Sequence, residues 1–112
     1  MELDFSSKKL RRQMQSAVEL KRAFGQLAKP IQMRLGVLAK ASTLADVPRC
    51  PPERCHELKQ NLAGRFAVVL KDNWRLIFRP DHQPVPTKEG GGIDSSNVTA
   101  IVIEGVVDYH GK

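Results

Sequence analysis

The chain has 112 residues, a formal net charge of +6 and 41% hydrophobic residues. That length supports one domain around one modest core and excludes a second, and the apolar share excludes wholesale disorder. The excess of 18 basic over 12 acidic residues points to a polyanionic partner: nucleic acid, an anionic membrane or an acidic protein.

No apolar run approaches the roughly 20 residues that span a bilayer, and no signal-peptide core follows Met1. A cytoplasmic protein with no membrane partner is therefore expected, and Cys50 and Cys55 are expected to be thiols. With His56 they form C-x4-C-H, which raises the question of zinc. A structural zinc site needs four ligands, and no second C-x-x-C or H-x-x-x-H supplies the rest; His82 and His110 would have to come from distant segments. No metal and no cofactor is expected.

Met1, Leu3 and Phe5 alternate with Glu2 and Asp4, the period of a strand with one buried face. Ser6 and Ser7 offer an N-cap for a helix beginning near Lys8. Leu10, Met14, Ala17, Leu20 and Phe24 recur at helical spacing and form one apolar stripe, with Lys8, Lys9, Arg11, Arg12, Lys21 and Arg22 on other faces. Gly25 suits a helix stop. A second helix is predicted from about Leu27 to Ala41, with Leu27, Ile31, Leu35 and Leu38 as its stripe and Pro30 in its first turn. Two amphipathic helices joined by a short connection predict a helical hairpin.

Ser42 to Arg65 reads as a loop, with Pro48, Pro51, Pro52 and Gly64, in which short turns or a short strand could lie. Phe66–Lys71 and Trp74–Arg79 predict a hairpin around Asp72-Asn73. Trp74, Leu76 and Phe78 share one face; Arg75, Ile77 and Arg79 share the other. A three-residue loop with Asn73 left-handed sets Phe66, Val68 and Leu70 beside the Trp74 face, and hydrophobic consistency favours it. The helices then cover that face, while Arg75 and Arg79 point from the open one. Residues 80–97 hold Pro80, Pro84, Pro86 and Gly90-Gly91-Gly92 and predict a long polar loop, mobile over 81–97. Val98 to Val107 is β-branched and apolar on both faces, so a central strand is predicted.

The result is an α+β domain over 1–112. A small, mainly antiparallel sheet in β-αα-βββ order carries the N-terminal helical hairpin on one face. Walker A, G-x-G-x-x-G and G-x-S-x-G sequences are absent.

Several pieces together resemble a known group: the N-terminal strand before a helical hairpin, His56-x-Leu58-Lys59, Gly64-Arg65-Phe66 entering a strand, Trp74-Arg75-Leu76-x-Phe78, and the ending Asp108-Tyr109-His110. The chain resembles the RelE/ParE superfamily of bacterial toxins, most closely its HigB-type branch of mRNA-cleaving toxins. The resemblance implies the toxin of a type II toxin–antitoxin pair. It would be an endoribonuclease that cuts mRNA in the ribosomal A site and is neutralised by a protein antitoxin. It also implies an active site of His56, Asp108, Tyr109 and His110, with Arg75 and Lys59 beside them. Arg65, Arg79 and Lys71 are further candidates for RNA contact. Two features depart from the pattern: the Phe66–Lys71 strand carries a single lysine, and the 81–97 loop is longer and richer in glycine.

RNA cleavage without metal needs a base for the 2′-hydroxyl, an acid for the leaving 5′-oxygen and cations for the phosphate. Histidine can serve as base or acid near neutral pH, tyrosine can stack on a base or donate its hydroxyl, and guanidinium matches phosphate oxygens bidentately. Competing readings stand beside these. A lone histidine is often a structural group, Trp74 fits a core, Tyr109 could close a core edge, and basic faces are often merely solvated. At the level of function, the rivals are a non-enzymatic ParE-like gyrase inhibitor and an inactive RNA- or antitoxin-binding module.

Overall fold

The computed structural model describes residues 1–109; His110, a candidate catalytic residue, lies outside the described residues. Strand β1 (Glu2–Phe5) is followed by helices α1 (Lys8–Gln13), α2 (Ala17–Phe24) and α3 (Ala28–Lys40). Strands β2 (His56–Glu57), β3 (Phe66–Lys71), β4 (Trp74–Pro80) and β5 (Ala100–Asp108) follow. The five strands form one sheet in the order β1-β5-β4-β3-β2. β1 runs parallel to β5, and the remaining pairs are antiparallel. The class is α+β and the sheet mainly antiparallel, as the alternation implies. The element order differs, because the first helix is divided and a two-residue strand, β2, lies inside the segment read as loop.

The division occurs at Ser16. Its hydroxyl accepts from the Glu19 backbone N–H and starts a new helix. Ser7 caps α1 in the same way through Leu10. Leu10, Met14 and Leu20 are buried, whereas Ala17, placed in the same stripe by spacing, is exposed. Gly25 turns the chain between α2 and α3 with φ of +56°, a conformation glycine adopts without strain. α2 packs on α3, and α3 packs on β3.

The main core joins Leu20, Ile31 and Leu38 of the helices to Phe66, Val68, Leu76, Phe78, Ile101 and Ile103 of the sheet. Phe66 and Phe78 are paired across the strands with ring centroids 5.9 Å apart. The helices thus cover the face deduced from hydrophobic consistency. The hairpin achieves that register by another route. Lys71 pairs with Trp74 across a two-residue turn, and a bulge between Val69 and Lys71 restores the pairing of Val68 with Leu76. The residue with positive φ is Asp72 (52°), not Asn73. Trp74, assigned to the core, lies at the strand's outer end and is 37% exposed.

A second bulge lies in β5. Ile77 pairs with Gly105 and Phe78 with Ile103, so Glu104 is the extra residue. Gly105 takes φ of +154° there, outside the range comfortable for other residues. Residues 81–97, read as a mobile loop, hold a local hairpin. Thr87 bridges Ile93, Asp94 N–H donates to the Pro86 carbonyl at 2.9 Å, and Ile93 packs against the main core. His82 Nε2 accepts from Thr99 N–H at 3.0 Å, tying this segment to the start of β5.

Candidate functional site

The sheet face opposite the helices is only partly open. Ala67 of β3 and Ile77 of β4 lie there and are capped by Leu58, Leu62 and Tyr109 in a second, smaller apolar cluster. The segment that supplies Leu58 and Leu62 is tightly wound. Leu58 N–H donates to Arg65 O (2.8 Å), Leu62 N–H to Lys59 O (3.1 Å) and Arg65 N–H to Leu62 O (3.1 Å). β5 brings Tyr109 over this cluster because the ladder continues past Asp108: Tyr109 N–H donates to Asn73 O at 2.8 Å.

Beside that cap lies a depression of about 330 Å³ lined by His56, Glu57, Leu58, Lys59, Gln60, Asn61, Leu62 and Tyr109. Three residues singled out by sequence, His56, Lys59 and Tyr109, therefore meet in one concavity, although more than 50 positions separate His56 from Tyr109. His56 sits on β2, opposite Ala67. Its Nδ1 donates to the Arg54 carbonyl oxygen at 2.9 Å, since a carbonyl can only accept. In the neutral ring this leaves the lone pair on Nε2.

His56 also borders a second depression, of about 340 Å³, with Arg49, Arg54, Cys55, Val69 and Arg75. Arg75 is found here rather than with Tyr109. Its Nη1 donates to the carbonyls of Asp72 (2.8 Å) and Trp74 (3.1 Å), and its Nε is buried with no hydrogen-bond partner. Cys55 is buried and Cys50 exposed. Burial pushes the Cys55 thiol up to about 11, with the nearby Arg49 charge opposing the shift. Among the described residues, no group of three or more His, Cys, Asp or Glu is placed to hold a metal ion.

The other candidates lie elsewhere. Asp108 pairs with Trp74, which puts its side chain on the helix-side face at the exposed end of the strand, not beside Tyr109. Arg65 and Arg79 both bind Glu104, at 2.5 Å and 3.0 Å, so the β5 bulge delivers a carboxylate that occupies both guanidiniums. Lys71 borders a groove on the helix side with Lys29, Met33 and Arg34, away from His56.

Arg49, Arg54, Gln60 and Asn61 were not singled out by sequence, because an irregular loop has no periodicity to read. Among the described residues, three non-glycine residues have φ in the left-handed region, Arg54 (48°), Gln60 (59°) and Asp72 (52°), and the first two line these depressions. Such strain persists only where surrounding contacts impose it, and it gathers at functional sites.

No helix among the described residues is long and apolar enough to cross a membrane. No protein-family model matches the sequence, and no curated protein matches it. A solved structure does match: a chain of the YoeB–YefM complex from Staphylococcus aureus aligns with a TM-score of 0.55 at 15% identity, over 98% of this chain and 97% of that one. At that identity the likeness is one of fold, and it extends over nearly the whole of both chains.

Proposed function

We propose that this chain is the toxin of a toxin–antitoxin pair and acts as a ribosome-dependent mRNA endonuclease of HigB type. The observation that carries the reading is the single depression shared by His56, Lys59 and Tyr109. The fold supports it, since it is shared with a chain of the YoeB–YefM complex and YoeB is a RelE-family toxin. The partners that follow are a cognate antitoxin, the ribosome and mRNA, and the place of action is the cytoplasm.

The chemistry uses the chain's own groups. His56 Nε2 takes the proton from a ribose 2′-hydroxyl, the freed oxygen attacks the adjacent phosphorus, and the P–O5′ bond breaks as an acid protonates the leaving oxygen. The products are a 2′,3′-cyclic phosphate and a 5′-hydroxyl. The Nδ1–H bond to the Arg54 carbonyl supports the base role, because it fixes the tautomer with Nε2 free. Lys59 neutralises the phosphate, and Tyr109 stacks on or hydrogen-bonds a nucleobase. The resemblance assigns the acid to His110, which lies outside the described residues; Asp108, on the helix-side face, is given no part in this step.

Adding the purified protein to a cell-free translation reaction and mapping mRNA 5′ ends tests this. New ends in register with codons are expected. They should be absent without ribosomes and reduced roughly 100-fold or more in His56→Ala, the usual span for loss of a general base. Intact mRNA overturns the nuclease reading, and arrested DNA replication in its place would direct attention to gyrase.

A further inference from the structure

The second depression that His56 borders is rich in cations. Its lining contains Arg49, Arg54 and Arg75 with His56, Cys55 and Val69, and no carboxylate. Arg49 and Arg54 are exposed, and no ion pair to either is found among the described residues. The contrast with Arg65 and Arg79, which share the carboxylate of Glu104, is direct: one basic cluster is paired with an acid and the other is not.

The loop that presents these cations is fixed. Arg54 N–H donates to Cys50 O (3.0 Å), Cys55 N–H to Pro48 O (3.0 Å) and Val69 N–H to Glu53 O (2.8 Å). The left-handed Arg54 backbone in turn holds His56 through its carbonyl. A rigid loop spends little ordering entropy on binding. Arg75 lines the same depression, with Nη1 held by the Asp72 and Trp74 carbonyls and Nε buried without a partner, so its charge is fixed in place and meets no carboxylate there.

We propose that Arg49, Arg54 and Arg75 form a second phosphate subsite, which takes the phosphodiester next to the one engaged in the His56–Tyr109 depression. The inference rests on the RNA-cleaving reading and extends it: RNA lies across both depressions, with His56 at their boundary. Guanidinium groups suit this task through bidentate contacts to phosphate oxygens. The neighbouring phosphate then anchors the strand while His56 acts on the adjacent ribose.

The test is an NMR titration of the ¹⁵N-labelled full chain with a non-cleavable 2′-O-methyl hexanucleotide, for the wild type and for Arg49→Gln/Arg54→Gln. Glutamine removes the charges while leaving the left-handed Arg54 backbone no worse off than before. In the wild type, the amides of Lys59, Leu62 and Tyr109 should move together with those of Arg54, Cys55 and Val69 and with the Arg75 Nε–H. In the double variant the Kd should rise at least about tenfold, the loss expected from even one charge-assisted hydrogen bond of the two arginines removed. The salt dependence should fall by about 0.7 in slope for each phosphate that is no longer neutralised, while Lys59 and Tyr109 still respond. An unchanged Kd and slope, or a wild type in which Lys59 and Tyr109 move while the arginine depression does not, overturns the subsite alone. A wild type that shows no shift anywhere also overturns the subsite, whereas the nuclease reading falls only if mRNA stays intact in the translation reaction.

Discussion

His56 Nδ1 lies 2.9 Å from the carbonyl oxygen of Arg54, a residue held at φ of 48°. The contact spans two residues, so the imidazole is fixed by its own chain and does not depend on the tyrosine or on ligand. Because the acceptor is a carbonyl, the neutral ring must carry its proton on Nδ1. Long-range ¹H–¹⁵N spectra of the free protein should therefore report the Nδ1–H tautomer for His56. A spectrum with the proton on Nε2 would remove the structural basis for its role as base.

Glu104 meets Arg65 and Arg79 because the β5 bulge turns it out beside them. Replacing it by glutamine leaves two cations side by side without their counter-charge. The side chains are partly exposed (Glu104 20%, Arg65 36%, Arg79 45%), so solvent screening keeps the loss of stability to about 1 kcal/mol. Urea denaturation at low salt reads it, and the difference should shrink at high salt. The same variant should bind single-stranded RNA more tightly, since two guanidiniums are released. If its affinity equals that of the wild type, those arginines take no part in RNA contact.

Much of the frame was legible because burial imposes short periods. The alternation in Phe66–Lys71 and Trp74–Arg79 was enough to choose the face that the helices cover. It could not reveal that the register is kept by a bulge at Leu70 rather than by a longer turn, because both solutions bury the same residues. The break at Ser16 did leave a signal, a serine three residues before Glu19 ahead of apolar positions, but the continuing apolar stripe masked it. The meeting of His56 with Tyr109 depends on the order β5-β4-β3-β2, a product of long-range pairing with no local trace. It was anticipated through resemblance alone. The position of Arg75 away from Tyr109, the pairing of Asp108 with Trp74, and the arginines of the 48–55 loop needed coordinates.

The two cysteines should differ sharply in reactivity. Cys50 is exposed, whereas Cys55 is buried and its thiol is raised from 9.0 to about 11. At pH 8 a thiolate-selective alkylating reagent should modify Cys50 within minutes and Cys55 only on unfolding, as peptide mass spectrometry would show. The sign of the pH linkage follows from the raised value. Burial of the neutral thiol contributes its full stability below pH 9, and this is lost as pH rises from 9 through about 11, because the unfolded chain ionises first. In Cys55→Ala that alkaline loss should flatten. Equal labelling of both cysteines in the native protein would contradict the buried setting of Cys55.

Arg34 supplies the tie between α3 and the hairpin bulge. It is only 7% exposed, and its Nε donates to the Val69 carbonyl at 2.7 Å. That carbonyl sits where the β3–β4 register shifts, so the ladder does not offer it a regular partner. A charged donor to a backbone acceptor contributes on the order of 2 kcal/mol, and its removal leaves the acceptor unsatisfied in a partly apolar setting. Arg34→Met keeps the apolar stem and deletes the guanidinium, with its charge and the Nε donor. It should lower stability by about 2 kcal/mol in chemical denaturation with an unchanged m-value. Amide exchange should quicken first at Val69 and Leu70, since the bulge loses its anchor before the rest of the sheet opens. Val69 lines the depression that also holds Arg75 and His56, so the variant links fold to site. If Arg34→Met unfolds at the wild-type denaturant concentration, α3 is held to the sheet by apolar packing alone and the bulge needs no helix to sustain it.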